Sequence, residues 1–283
     1  MDRSLYKIAN VNRMDPFLMT ITSGEDHWMY LSSTGCLTAG RKKAKHALFP
    51  YVTDDLLHRN AHFTGPVTVI RVKEDNKNLV WRPFSWYEES YETEQNLYKN
   101  SLGNTVLFEE INHSLGLTFI YEWQSSSKYG FIRKSRLVNH HSNMLNVELV
   151  DGLRNIMPAS VELRTQQEMS NLANAYKVSE YSPDSNCALF FMNALLMDSP
   201  EPGESLYSNL VWSYYNGNKI ISVSEADIDQ FANSGTLNGA HIIKGKPGCF
   251  LTKIEKILEP EDEMYWYTVA DVNKTQSEIT HII

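Results

Sequence analysis

The heptapeptide Trp81-Arg82-Pro83-Phe84-Ser85-Trp86-Tyr87 sets four aromatic rings within seven residues, beside an arginine and a proline. Saccharide rings present C–H faces that stack on indole, and their hydroxyls pair with planar guanidinium and carboxylate groups. Tyr51, Asp54, Asp55, His58 and Arg59 offer a similar mixture earlier in the chain. Trp and Tyr are equally at home in sandwich cores and at interfaces, so packing and sugar contact both stay open. The basic run Arg41-Lys42-Lys43-Ala44-Lys45, flanked by Gly40 and His46, reads as an anion site or as an exposed loop. The substrate-binding candidates are therefore Trp81, Arg82, Trp86, Tyr87, Tyr51, Asp54 and Arg41.

No catalytic residue is assigned. The chain contains no HExxH, GxSxG, Walker or helix-opening GxGxxG motif. Glycoside hydrolysis needs two carboxyls facing one bond, and the neighbours Asp54 and Asp55 diverge on an extended chain. Glu88, Glu89, Glu92 and Glu94 read as a solvated acidic face. The nine histidines are scattered. Only His140 and His141 adjoin, and successive strand residues point to opposite faces. No metal site or cofactor follows.

A formal net charge of −8 argues against nucleic acid as a partner, since phosphate binders present a basic face. Cys36, Cys187 and Cys249 are odd in number and widely spaced, which favours reduced thiols and a cytoplasmic setting. The first residues lack the charged-then-apolar order of a secretory signal. No run approaches the ~20 apolar residues of a membrane span, so no membrane partner is expected.

Period-two alternation recurs along the whole chain, as in Leu117, Phe119, Tyr121 and Trp123 or Leu145, Val147 and Leu149. Further strands are expected at Phe17–Thr22, Trp28–Ser33, Val67–Val72, Thr105–Ile111, Leu206–Tyr214, Lys219–Ser224, Cys249–Ile257 and Met264–Val272. Asn216-Gly217 predicts a hairpin. A helix is expected over Thr165–Lys177, capped by Thr165 and Glu168 with Met169, Leu172, Ala173 and Tyr176 inward. A shorter one follows Ser224, with Ile228 and Phe231 buried. The fold class is thus all-β: one large two-sheet antiparallel sandwich over residues 1–283, with one or two covering helices. The closing stretch Ile279–Ile283 reads as pattern still under construction, so the chain is expected to be the N-terminal part of a longer multidomain enzyme. An exposed apolar patch on the last strands and the Thr165–Lys177 helix is expected to mark the partner.

Three segments, Asp26–Thr38, Leu48–Asp55 and Val150–Pro158, resemble the N-terminal region of cellobiose-phosphorylase-like enzymes, as do Asn209–Trp212 and Ile220–Ser224. The resemblance implies a galactose-mutarotase-like supersandwich that precedes a helical catalytic domain. It implies that the parent is a glycoside phosphorylase or hydrolase acting on β-glucosides, with inorganic phosphate as co-substrate. The sandwich would shape a homodimer, and Ser32–Arg41 would map onto a loop lent to a neighbouring active site. Two rivals stay open: a free-standing sugar-binding module, and an aldose epimerase or mutarotase with a His base and an acidic partner.

Overall fold

The computed structural model describes residues 4–74, 77–85, 90–194 and 205–282. Strands β1 (Leu5–Ile8), β2 (Leu18–Ile21), β3 (His27–Ser32) and β4 (Leu37–Arg41) open the chain. Helix α1 (Leu56–Arg59) then leads into β5 (Gly65–Glu74) and β6 (Lys77–Trp81). A meander follows: β7 (Thr93–Asn100), β8 (Val106–Asn112), β9 (Leu117–Ser126), β10 (Gly130–Asn139) and β11 (Leu145–Ile156). Helices α2 (Leu163–Glu168) and α3 (Ser170–Asn174) precede β12 (Lys177–Ser182), β13 (Cys187–Met192), β14 (Tyr207–Tyr214) and β15 (Lys219–Ser222). The chain closes with α4 (Ala226–Ser234), β16 (Ile242–Lys244), β17 (Gly248–Leu258), β18 (Glu263–Thr275) and α5 (Gln276–Ile282).

The all-β sandwich read from the alternation is the architecture observed. One sheet has ten strands in the order β1-β7-β8-β9-β10-β18-β14-β13-β12-β16; the other has five, ordered β15-β17-β11-β5-β6. A separate three-stranded sheet, β2-β3-β4, was not anticipated as its own layer. Inward side chains of both large sheets, such as Phe119, Trp123 and Trp266 against Leu149, Phe250 and Ile254, form one continuous core. Helix α4 covers the other face of the five-stranded sheet, seating Ile228 and Phe231 on Val69, Val150 and Leu251.

Between the sheets lies a polar layer. Asp151 of β11 is fully buried and accepts from Thr68 Oγ1 (2.6 Å), Arg133 Nη1 (2.7 Å), Ser135 Oγ (3.2 Å) and Trp266 Nε1 (2.6 Å). Arg133 and Ser135 sit on β10 and Trp266 on β18, so this carboxylate ties the two sheets together. The Arg133 guanidinium also lies 4.5 Å from the Tyr121 ring centroid.

Three local expectations are corrected. Asn216-Gly217 makes no hairpin: β14 is flanked by β13 and β18, and β15 pairs instead with β17 of the other sheet. With both edges of β14 occupied, the turn carries the chain across the sandwich. The expected Thr165–Lys177 helix is two short helices broken at Met169 (φ −130°). Thr165 lies inside α2, and Glu162 is the N-cap without a side-chain cap bond, so no capping box forms. Ala173 is buried as expected, whereas Leu172 is 51% exposed. Finally, the Ser32–Arg41 segment is mostly strand, with Leu37–Gly40 buried in β4. The last strands expose Ile220, Ile242 and Ile257 together with Tyr207, Tyr214 and Tyr265, and α3 exposes Leu172.

All three cysteines are unpaired and buried. Burial pushes the Cys36 and Cys187 thiols up to about 12, against weaker opposing backbone hydrogen bonds. It raises the Cys249 thiol as well. Thiolate is the reactive form, so native protein at neutral pH should resist thiol reagents and label fully only in denaturant. Rapid labelling of any cysteine in the folded protein would contradict this burial.

Candidate functional site

The stretch leading from β4 into the start of β5, residues 50–66, lines two concavities. A β-bulge in β11 aims successive side chains into each of them. Arg154 pairs with Cys249 and Ile156 with Gly248, leaving Asn155 as the extra residue, at φ 56°. Arg154 lines the smaller cavity and Asn155 the larger cleft. Both also hold the 50–66 stretch: Arg154 Nη2 donates to the Ala61 carbonyl (3.1 Å), and Asn155 Nδ2 donates to Thr64 Oγ1 (2.8 Å).

The smaller cavity encloses about 350 Å³. It sits beside the N-terminal half of β5, because pairing with β6 starts only at Ile70. Among the described residues, Gly65–Val69 therefore has β11 on one edge and no strand on the other. His62, Arg82, Phe84 and Tyr121 face this space, with Glu225 and Asp229 from the start of α4. Its charges largely answer one another, as where Arg82 Nη2 meets Asp229 Oδ1 at 3.3 Å. Burial lowers the pKa of Arg154, with Glu225 opposing the shift. Burial, then the Arg154 charge, lowers that of His62, which keeps the imidazole neutral at pH 7.

The larger cleft holds about 840 Å³. One side is built by Pro50, Tyr51, Val52, Thr53, Asp54, Leu56, Asn60 and Phe63, the other by α2 and α3. Gln166 locks the two sides together: its Oε1 accepts from Tyr51 N (3.0 Å), and its Nε2 donates to the Ala44 and Val161 carbonyls. Tyr51 is further fixed by an edge-to-face contact with Trp28, ring centroids 5.2 Å apart. Asp54 is exposed and turns Oδ1 onto the Leu56 N–H (2.9 Å), leaving Oδ2 free of this turn. Asn60, Asn155, Gln167, Asn171 and Asn174 add side-chain amides, and Thr53 and Ser170 add hydroxyls. Met157, Ala173 and Lys177 form the buried floor. Burial alone pulls the Lys177 ammonium pKa down to about 8.

The sequence candidates divide between these places. Tyr51 and Asp54 meet in the larger cleft, and Arg82 faces the smaller cavity. Trp81 is 1% exposed and donates its indole N–H to Glu110 Oε1 (2.8 Å), so its ring packs the core instead of meeting a ligand. Arg41 spends its guanidinium on Asp26 (2.7 Å) and the buried Asp271 (3.1 Å), an ion pair that joins β4 to β18. Trp86 and Tyr87 lie outside the described residues. His58 accepts or donates one hydrogen bond with Ser32 Oγ (2.8 Å), and His140 stands 3.6 Å from Glu261 at the surface. Among the described residues no group of three or more His, Cys, Asp or Glu is placed to hold a metal. No helix among them is long and apolar enough to cross a membrane.

Sequence reasoning missed the amides of α2 and α3, although Gln166-Gln167, Asn171 and Asn174 lie within one short stretch. It also missed Arg154, Asn155 and Lys177, which only the bulge and the strand order bring to the clefts.

No family model matches the sequence, and no curated protein shows significant similarity to it. Solved structures with a similar chain course include a polysaccharide lyase, with TM-score 0.48 and 7% identity over 94% of this chain. They also include an aldose epimerase homologue from C. elegans, with TM-score 0.47 and 10% identity over 93% of this chain. A bacterial glucoamylase complexed with acarbose follows, with TM-score 0.43 and 8% identity over 99%. The matched region makes up 34% of the lyase and 37% of the glucoamylase, but all of the epimerase homologue.

Proposed function

We propose that this chain is a carbohydrate-binding domain that holds a saccharide in the cleft between residues 51–63 and helices α2–α3. The observation that carries the proposal is the chemistry of that lining. Side-chain amides supply donors and acceptors together, which suits a ring of hydroxyls that each donate and accept. Tyr51 and Phe63 supply aromatic surface for the apolar faces of the sugar. The volume lies within the roughly 300–1,000 Å³ range of small-ligand sites.

The sequence resemblance to cellobiose-phosphorylase-like enzymes points to a β-linked glucoside as ligand. On that reading the groups that break the bond belong to a helical domain or second subunit, where phosphate attacks the anomeric carbon as an acid protonates the leaving oxygen. The domain's part is to hold and orient the sugar. On that reading the purified chain is not expected to accelerate mutarotation.

Phe63 provides a clean test because it is 67% exposed and supports no core contact. Titration calorimetry with cellobiose should give measurable binding by the wild type. Phe63→Ala should weaken it by about 0.5–1.5 kcal/mol, roughly 2- to 12-fold, with thermal stability unchanged. Absence of binding to cellobiose and to other β-glucosides would remove the proposal.

A further inference from the structure

Lys177 stands apart from the rest of the cleft. It is the first residue of β12, 6% exposed, and its carbonyl accepts from Gly245 N, which fixes the backbone. Its ammonium has no hydrogen-bond or ion-pair partner among the described residues. Around it the floor is apolar, with Met157 and Ala173 beside it in the cleft and Met192 as its register partner on β13. The other titratable groups lining the cleft are Tyr51 and Asp54. Asp54 lies at the exposed rim and contributes nothing to the Lys177 titration, which burial alone displaces. The three donors of its ammonium meet no acceptor among the described residues, and the cleft that Lys177 lines is the open side toward which they can be used.

We propose that Lys177 receives an anionic group carried by the bound saccharide, so that the cleft prefers an acidic sugar, a uronate being the simplest, over its neutral counterpart. This rests on the carbohydrate reading of the cleft and narrows it. A lysine retained merely to cover Met157 and Met192 with its methylene stem would show no such preference. The ligand's charge would complete an ion pair in a site that is otherwise built of neutral amides.

The test compares methyl β-glucuronide with methyl β-glucoside, which differ by a carboxylate, and adds glucose 6-phosphate and inorganic phosphate as separate arms. A charge-assisted hydrogen bond in this setting should favour the glucuronide roughly 10- to 150-fold. Lys177→Met should abolish that preference and raise Tm at pH 7 because the uncompensated charge is gone. Tighter binding of glucose 6-phosphate than of the glucuronide would assign the same subsite to phosphate sugars instead of uronates, overturning the uronate choice. Equal affinity for glucuronide and glucoside, or a preference that survives Lys177→Met, overturns the inference while leaving carbohydrate binding intact. If neither sugar binds, the carbohydrate reading falls with it. In that case a phosphate-dependent upward shift of the Lys177 side-chain titration, followed by NMR, would retain the anion site alone, and no shift would remove that too.

Discussion

Asp151→Ala is expected to cost about 3–5 kcal/mol of folding stability, the range found when one partner of a buried ion pair is removed. The side chain is fully buried and serves four donors from both sheets. Its loss leaves the fully buried Arg133 guanidinium facing Tyr121 with no counter-charge. The penalty comes from that stranded cation more than from the lost bonds. Replacing Arg133 by Met in the same protein should therefore recover part of the loss, since an apolar pair of similar volume removes both charges. Urea unfolding of the two variants measures this. A single Asp151→Ala cost below about 1 kcal/mol would mean that the polar layer does not hold the sheets as described.

Gly152→Ala, one residue along β11, should be nearly as severe for a different reason. A Cβ there would stand 1.9 Å from the Phe250 carbonyl oxygen and 3.0 Å from the Leu251 Cα. Both are backbone atoms of the paired strand β17, so no side-chain rotation relieves the clash. The strands must separate or the nearby bulge must shift, and overpacking of this kind costs roughly 1–3 kcal/mol or more. A fall in Tm is expected, together with faster amide exchange along β11 and β17. An unchanged Tm would show that the two backbones lie further apart than the register implies.

Much of the scaffold was legible because half-buried strands impose a period of two on the side chains. Leu117, Phe119, Tyr121 and Trp123 do face the core, and so do the expected Ile228 and Phe231 of α4. What failed was the inference from local turn chemistry to strand pairing. The chain does bend at Asn216-Gly217, but pairing depends on which sheet has a vacant edge, and that is a non-local fact. The single long helix failed similarly. Its apolar spacing was right at Ala173, but the chain breaks at Met169, and Gln166 just before the break turns inward to clamp Tyr51.

The site was legible only in part. Tyr51 and Asp54 share the larger cleft because they lie close together in sequence and the fold keeps them together. Trp81 was misjudged because an indole with a hydrogen-bonded N–H suits a core as well as a sugar, and Glu110 is distant in sequence. Arg41 looked like an anion site because its acidic partners Asp26 and Asp271 are supplied by other parts of the chain. Lys177 gave no signal, since a single lysine at the start of a strand is ordinary until its surroundings are known.

The central claim is that the cleft bounded by residues 51–63 and α2–α3 binds a saccharide. Amide chemical-shift mapping of the whole chain during a cellobiose titration tests it directly. Saturable shifts concentrated at Tyr51–Phe63, Asn155 and Gln166–Lys177 are the predicted result. Shifts centred on Arg82, Arg154 and Glu225, or none at any concentration, would contradict it.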